Sequence, residues 1–575
     1  MTTVTPKGAR NREGAVLGER VLEVEGLDVS FADGRGGRHH VVKDVGFELL
    51  AGQCVALVGE SGSGKSVTAR TVLGLAGDTA DVSATTLALH GETLLGRSDS
   101  WWRRVRGRRI GYILQDALVS LDPLRPVGKE VAEALRLHRQ GNRSTRGRRV
   151  LELLGRVGVP EPAMRARQRP GELSGGLRQR ALIASAIALD PEIVIADEPT
   201  TALDVTVQAQ VLDVLKRMLA DGTSVVLISH DLAVVAKLAD HILVMQGGRI
   251  VESGPATTVL RDPQHAYTQQ LIDAVPSEHT KGTRLSGTAQ VSARELFPAS
   301  RDAGSDDGAV LLEGRDVVKS FVGPDKVRRT VVNGVSFRLD RGETLGMVGE
   351  SGSGKSTLAR IALSLETPDS GDVSFLGRPW SAATPAQRRA ARRRISVVYQ
   401  DPLSSFDPRW RVSRILTDAI ELGDPVHAGR ARGRAVDLLR AVGLGEEHLD
   451  AWPLRLSGGQ RQRVAIARAI ATNPEVIVLD EAVSALDVSV QAQILDLLAD
   501  LQRQLDVSYL FISHDLGVIH HMSDRVLVME NGFAVEQGTA DQIFTDPQQP
   551  YTRTLLESLP RLEYAALREA VSSHR

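Results

Sequence analysis

The sequence predicts an α/β protein in which one module, a mainly parallel core sheet with an antiparallel β subdomain and a helical subdomain, is built twice in tandem. Three observations carry this. The stretch Gly59-Glu60-Ser61-Gly62-Ser63-Gly64-Lys65-Ser66 returns unchanged 290 residues later as Gly349-Glu350-Ser351-Gly352-Ser353-Gly354-Lys355-Ser356. Each copy follows an apolar run fit for a buried strand, Cys54–Val58 or Thr344–Val348, and precedes a segment that reads as helix. Downstream landmarks then recur at a nearly constant offset of 283 to 285: Gln115 with Gln400, Leu173-Ser174-Gly175-Gly176 with Leu456-Ser457-Gly458-Gly459, Asp197-Glu198 with Asp480-Glu481, His230 with His514, and Tyr267 with Tyr551.

Composition narrows the classes. A chain of 575 residues exceeds one core, and two to about four domains is the expectation. Apolar content of 42% and charged content of 25% belong to a soluble globular protein, and a net charge of −1 supplies no field that favours nucleic acid or an anionic membrane. The single cysteine, Cys54, excludes an internal disulfide and a cysteine-built zinc or iron–sulfur site within one chain, and reads as a small core residue. No apolar run approaches the ~18–20 residues of a membrane span. The start, Met1 to Lys7, lacks the apolar segment of a signal peptide. The expectation is a cytosolic chain whose membrane role, if any, comes through partners.

In chain order, residues 1–20 lack periodicity and read as a disordered tail. Alternating runs between Val21 and Leu50 read as antiparallel strands, with a turn at Gly34-Arg35-Gly36-Gly37. After the glycine-rich loop come about a hundred residues of helical pattern. Two continuous apolar strands follow, 192–198 and 224–230, each ending in polar residues as central parallel strands with functional groups at their carboxyl ends do. The first module thus spans 21–276. Residues 277–308 are rich in Ser, Thr, Gly, Ala and Asp and read as a flexible linker, the second module spans 309–560, and 561–575 form a tail.

The repeated loop fits G-x-x-x-x-G-K-[ST], a phosphate-binding P-loop. Its glycines let successive N–H groups face one concavity, and the following helix adds its positive end. Lys65 and Lys355 place a cation between β- and γ-phosphates, while the Ser66 and Ser356 hydroxyls can ligand magnesium. Asp197 and Asp480 end strands where a carboxylate can hold the magnesium shell. Glu198 and Glu481, one residue on, would leave the opposite strand face and orient or deprotonate the attacking water. His230 and His514, each after an apolar strand and before an aspartate, can reach the γ-phosphate. Ser174-Gly175-Gly176 and Ser457-Gly458-Gly459 open helices running toward Leu189 and Thr472, a serine N-cap with bare glycine N–H groups forming a second anion-binding end.

With these motifs in place, the chain resembles two fused nucleotide-binding domains of the ABC (ATP-binding cassette) ATPases, over nearly all of 21–276 and 309–560. The resemblance implies Walker A at 59–66 and 349–356, extended by Val67 and Thr357, and Q-loop glutamines Gln115 and Gln400 that join Ser66, Asp197, Ser356 and Asp480 around Mg2+. It implies D-loop aspartates Asp204 and Asp487, switch histidines His230 and His514, and Phe31 and Phe321 stacking on adenine. It also implies that the signature of each module closes on ATP held by the other module's P-loop, in two composite sites. The second signature ends in Gln460 and the first in Leu177, so two active sites of unequal rate are expected.

Within that family the chain resembles the ATP-binding subunits of dipeptide, oligopeptide and nickel importers. The carrying residues are Asp262-Pro263-Gln264-His265-Ala266-Tyr267-Thr268 and Asp546-Pro547-Gln548-Gln549-Pro550-Tyr551-Thr552, with 202–210 and 485–493. The resemblance implies ATP and Mg2+, two integral membrane permeases, an extracytoplasmic substrate-binding protein, and a place at the cytoplasmic face of the membrane. Di- or oligopeptides are the expected cargo, with nickel, glutathione or a metal chelate as alternatives. No iron–sulfur cluster is expected. The arginine-rich segments 103–109 and 388–394 read as solvated helical faces rather than nucleic-acid sites, since no stacking aromatics accompany them. A soluble tandem factor acting on ribosomes is the rival class, and the Gly/Ser/Asp linker does not fit it.

Overall fold

The computed structural model describes residues 18–32, 37–115, 120–201, 203–276, 281–287, 293, 309–323, 326–423, 430–484 and 486–558. Residues 1–17 of the expected N-terminal tail, the expected C-terminal tail, residues 34–36 of the expected turn and most of the expected linker lie outside these residues, while the first strand already begins at Arg20. The chain divides into two compact units at Ile272/Asp273.

The first unit is built on a six-stranded sheet ordered Arg249–Pro255, His241–Gln246, Cys54–Val58, Ser224–Ile228, Ile193–Asp197, Ile110–Ile113. All neighbours are parallel except the antiparallel edge strand Arg249–Pro255. The second unit repeats the order with Phe533–Thr539, Arg525–Glu530, Thr344–Val348, Ser508–Ile512, Val476–Asp480 and Ile395–Val398. Every residue of Cys54–Val58, Ser224–Ile228 and Thr344–Val348 is buried. Both faces of these strands are covered, which is why they read as continuous apolar runs rather than alternations.

The long strands Arg20–Ala32 and Arg38–Leu50 pair antiparallel and seed a separate five-stranded sheet; Val310–Val322 and Arg328–Asp340 do the same for a four-stranded one. One apolar cluster joins that sheet to the core in the first unit. It runs from Leu27 and Val45 through Val72 and Leu73 of the helix after the P-loop to Leu57, Ile195 and Ile228. The helical subdomains contain Val127–Leu137, Arg143–Arg156 and Gly175–Ala186, and in the second copy Val412–Gly423, Ala431–Ala441 and Gly458–Ile470. The two signature helices thus stop one turn or less before the expected ends.

Register brings the functional loops together. Leu57 and Asp197 both pair with Ile228, so the chain leaves three adjacent parallel strands at the same edge into the P-loop, the Asp-Glu pair and the Ser-His turn. Met347, Asp480 and Ile512 do the same in the second unit. This is the ligand-binding edge of an open α/β sheet.

Two features depart from the sequence expectation. Not all the arginines of 103–109 and 388–394 are solvated. Arg106 donates to the carbonyls of Leu73 and Gly74 at 2.8 and 2.7 Å, Arg109 to Glu192 at 3.0 Å, and Arg394 is paired with Glu475. They tie the turns between Asp99–Val105 and the edge strand Ile110–Ile113, and between Pro385–Arg392 and Ile395–Val398, to their neighbours, while Arg103 and Arg104 are exposed. Second, the described part of the expected linker is fastened down. Arg284 meets Asp500 at 3.1 Å, the Leu285 and Ser286 N–H groups donate to Asp496 at 3.1 and 2.9 Å, and Lys281 pairs with Asp524. All of these acceptors belong to the second unit, so 281–287 is a strap on that unit.

Candidate functional site

The P-loop owes its path to glycine. Gly59 has φ 144°, and a Cβ there would lie 2.2 Å from the Met245 carbonyl oxygen; Gly349 has φ 146° and the same conflict with Met529 at 2.0 Å. No L side chain fits either place. The loop delivers a buried lysine in each copy. Lys65 Nζ donates to the carbonyls of Gly59 and Glu60 at 2.6 and 2.7 Å, and Lys355 Nζ to those of Gly349 and Glu350 at 2.7 and 2.8 Å. The helices Lys65–Val72 and Lys355–Ala362 begin at these lysines, with left-handed N-caps Gly64 and Gly354 that carry no side-chain cap. Their first N–H groups therefore face the concavity, the arrangement that binds phosphate. Val67 packs on the core beneath the loop, and Thr357 holds the same helical position in the second copy.

Ser66 Oγ donates to Asp197 Oδ1 at 2.9 Å and Ser356 Oγ to Asp480 Oδ1 at 3.3 Å. Burial pushes the Asp197 carboxyl up from its ordinary value against the Ser66 and Tyr112 hydrogen bonds; burial and then the neighbouring Glu481 charge push Asp480 up. A carboxylate that is costly to ionise alone, beside a hydroxyl at the mouth of a phosphate cradle, suits a hard divalent cation. Among the described residues no cluster of three or more His, Cys, Asp or Glu could hold a metal. One carboxylate and one hydroxyl fit a magnesium ion whose shell is completed by phosphate oxygens and water.

The glutamates are set by a turn and not by strand alternation, which corrects the sequence expectation. The strands end at Asp197 and Asp480, and Glu198 and Glu481 adopt φ of 48° and 50° in the left-handed region. Non-glycine residues held there cluster at functional sites. Gln115 Nε2 donates to Glu198 Oε2 at 2.7 Å, as does Thr201 Oγ1 at 3.0 Å, and His230 Nδ1 lies 3.3 Å from Oε1. In the second copy Gln400 Nε2 donates to Glu481 Oε2 at 2.7 Å and His514 Nδ1 lies 3.6 Å away. Burial would raise Glu198, but the adjoining His230 ring and its charge, with the Thr201 hydrogen bond and the Lys65 charge, outweigh it and hold the carboxyl below its ordinary value. The adjoining His514 ring holds Glu481 low against burial; burial would lower His514, and the neighbouring Glu481 carboxylate raises it instead. Each unit therefore carries an ionised glutamate in the grip of the predicted histidine and glutamine.

Ser174 and Ser457 are the N-caps of the signature helices, accepting from the Leu177 and Gln460 N–H groups at 3.4 and 3.2 Å. Gln460 completes a capping box by accepting from the Ser457 N–H at 3.0 Å, and its amide reaches His448 at 3.2 Å. Leu177 can do neither. Gly175 and Gly458 leave open or ordinary space for a side chain, whereas a Cβ on Gly176 or Gly459 would strike Val207 at 2.2 Å or Val490 at 2.5 Å. The second glycine of each pair is thus demanded by packing against the next helix, at whose N-cap Asp204 or Asp487 stands. Phe31 is half-buried against the core, and Phe321 is exposed with the Lys319 ammonium 5.3 Å from its ring centre.

Sequence reasoning missed Tyr112 and Thr201. The Tyr112 hydroxyl donates to Asp197 Oδ2 at 3.0 Å, and burial pushes its pKa up to about 12. Its repeat position is Val397, so Asp480 lacks that donor. Thr201 answers to Ser484, whose hydroxyl donates to the Glu481 main-chain oxygen at 3.0 Å and not to the carboxylate. A tyrosine in a short apolar strand three residues before Gln115 was the available signal.

Sheet edge, phosphate cradle and paired carboxylates define a tandem P-loop nucleotide hydrolase. The model of the ABC transporter family matches residues 42–201 and 332–484, and that of the oligopeptide/dipeptide transporter C-terminal region matches 251–297 and 535–573. The chain belongs to the ABC transporter family and is an ATP-hydrolysing member of it. It is 40% identical to the oligopeptide transport ATP-binding protein OppD of Mycobacterium tuberculosis, over 94% of this chain and 98% of that one. It is 41% identical to the peptidoglycan transport ATP-binding protein YejF of Agrobacterium fabrum, over 94% and 97%. It is 40% identical to the glutathione import ATP-binding protein GsiA of Salmonella choleraesuis, over 94% and 89%. Among solved structures, an archaeal ribosome recycling factor in complex with a ribosomal stalk protein is similar with a TM-score of 0.56 and 20% identity, over 88% of each chain. At that identity the likeness speaks to the fold alone.

Proposed function

We propose that the chain is the energising subunit of an importer for di- or oligopeptides, held at the cytoplasmic face of the membrane by two permeases and served by an extracytoplasmic substrate-binding protein. The observation that carries this is the oligopeptide/dipeptide transporter C-terminal region, matched once in each half. The absence of any helix long and apolar enough to cross a membrane among the described residues agrees with a translocation path supplied by other chains. Glutathione, itself a tripeptide, is the second reading of the cargo, since one relative is a glutathione importer subunit.

In this reading ATP lies along each P-loop, its adenine against Phe31 or Phe321, its phosphates on the loop N–H groups and the lysine. Ser66 and Asp197, or Ser356 and Asp480, with Gln115 or Gln400, would hold magnesium, which would supply positive charge to the phosphates. Glu198 and Glu481 orient the attacking water and accept its proton, a role open to them because both are held ionised. His230 and His514 fix those carboxylates and face the γ-phosphate. Ser174-Gly175-Gly176 and Ser457-Gly458-Gly459-Gln460 provide the second anion-binding ends, which close on nucleotide during ATP binding and reopen after hydrolysis, and the permeases follow.

Detergent copurification tests the assignment. Recovery with integral membrane proteins, and ATP hydrolysis that rises when peptide-loaded binding protein is added to the reconstituted complex, are the expected results. Recovery with ribosomes instead would sink it.

A further inference from the structure

The Asp-Pro-Gln…Tyr-Thr segments serve so far only as family markers, yet in both units they end on the P-loop. The Tyr267 hydroxyl accepts the Glu60 N–H at 2.9 Å, and the Tyr551 hydroxyl accepts the Glu350 N–H at 3.2 Å, across 207 and 201 residues of chain. The contact is therefore present twice, on equivalent atoms.

The peptide unit it grips is the one that also holds the lysine. Within Gly59–Glu60, the carbonyl accepts Lys65 Nζ at 2.6 Å while the N–H donates to Tyr267. The carbonyl and N–H of a trans peptide point to opposite sides of one rigid plane. Lysine and tyrosine thus clamp that plane from two sides, and the Gly349–Glu350 unit is clamped likewise by Lys355 and Tyr551. The plane turns about ψ of the glycine and φ of the glutamate, and glycine, with no Cβ, restrains its own torsions least of all residues. Fixing the plane therefore falls to its hydrogen bonds.

The tyrosine is itself anchored. Glu252, on the edge strand Arg249–Pro255, accepts the Gln264 and His265 N–H groups at 2.8 and 3.1 Å on its two carboxylate oxygens. Glu536, on Phe533–Thr539, accepts those of Gln548 and Gln549 at 2.7 and 3.2 Å. Gln264 and Gln548 close the turns on the Asp262 and Asp546 carbonyls at 2.9 and 2.8 Å. The helices Ala266–Asp273 and Pro550–Glu557 then place the tyrosines. Strand, turn, helix and hydroxyl form a continuous hydrogen-bonded path from the C-terminal region of each unit to its P-loop.

We propose that Tyr267 and Tyr551 are positioning residues that set the P-loop lysine through the Gly59–Glu60 and Gly349–Glu350 peptide planes, so that the C-terminal region of each unit tunes that unit's affinity for the nucleoside triphosphate. The inference rests on the ATP-binding reading above. Because the bond acts on the phosphate cradle and not on the glutamates, its loss is read in binding and not in turnover.

The test is Tyr267→Phe and Tyr551→Phe in the full chain, with Kd for a fluorescent ATP analogue, KM and kcat for ATP, and thermal unfolding measured together. Each substitution weakens nucleotide binding and raises KM by about two- to tenfold, the range of one uncharged hydrogen bond. The kcat stays within about twofold and the melting temperature holds. Tyr267→Phe has the larger effect, since its bond is shorter and its ring more deeply buried. A fall in melting temperature with unchanged Kd and KM would show a purely structural contact and overturn the proposal. Lys65→Ala and Lys355→Ala separate the two levels. If their double variant still binds ATP, the ATP reading fails; if it loses ATP while both phenylalanine variants bind like the parent, only the present inference fails.

Discussion

Replacing Arg284 with alanine isolates the strap. The repeat supplies an internal control: Asp496 and Asp500 stand on the helix Val488–Leu505 where the first unit has Asp213 and Arg217 on Val205–Ala220. Asp213 is exposed, whereas Asp496 and Asp500 are 3% and 1% exposed under the strap. Removing the partner of a buried carboxylate costs about 3–5 kcal/mol when the charge is left alone. Asp500 is not left alone, because Arg503 stays on its Oδ1 at 2.6 Å, and Arg284, which reaches both oxygens, is itself 35% exposed. Solvent screening and the remaining arginine reduce the expected loss to about 1–2 kcal/mol. Hydrogen exchange resolved by peptide is the assay. Amides of 281–287 and 488–505 should exchange about 5- to 30-fold faster in Arg284→Ala, while 205–220 stays as in the parent. Equal exchange in parent and variant would refute the claim that the strap is part of the second unit's stability, and acceleration in both helices would refute its assignment to that unit.

The remaining predictions concern the two sites. Glu198→Gln and Glu481→Gln should each lower ATP turnover, by unequal amounts because Thr201 and Tyr112 brace only the first site; equal losses count against unequal sites. The His514–Glu481 pair carries a pH signature. Glu481, held low, contributes stability above its ordinary 4.5 that is lost as pH falls through the lowered value; His514, held high, contributes below its ordinary 6.5 and loses this as pH rises through the raised value. The melting difference between parent and His514→Gln should therefore be largest between pH 4.5 and 6.5 and shrink on both sides, and a flat difference would remove the pair as its source. Gly176→Ala should cost about 1–3 kcal/mol in thermal unfolding because Val207 blocks the new methyl, while Gly175→Ala, with open space, should cost less; equal costs would contradict the packing argument.

The duplication made most of the fold legible. The strands Cys54–Val58 and Thr344–Val348 stand out because both their faces are buried, and the residues after them must be polar because the chain there leaves the sheet. The glutamates were found by position but not by conformation, since a left-handed turn at Glu198 leaves no mark in a sequence that allows a strand to run one residue further. Tyr112 was hidden because one hydroxyl in a four-residue strand looks like core. The strap was hidden because Ser, Thr and Gly composition speaks for slack chain. The contrary signal lay about 210 residues away: Asp496 and Asp500 are like charges one helical turn apart with only Arg503 near on their own helix, and the strap supplies Arg284 to Asp500 and two N–H groups to Asp496.

The differences between the copies are not spread evenly around the sites. Lysine, serine, aspartate, glutamate, glutamine and histidine are the same in both, and their distances differ by no more than 0.4 Å: 2.9 against 3.3 Å for serine to aspartate, 3.3 against 3.6 Å for histidine to glutamate. What differs is the layer behind. Tyr112 braces Asp197 where Val397 cannot brace Asp480, Thr201 reaches a carboxylate where Ser484 reaches a carbonyl, and Gln460 closes a capping box that Leu177 leaves open. In both cases the longer contact belongs to the unit with fewer supporting donors. The residues proposed to meet nucleotide are identical in the two units, whereas the donors behind them differ and the contacts differ by tenths of an ångström. Contact differences of that size are what unequal losses in Glu198→Gln and Glu481→Gln would report.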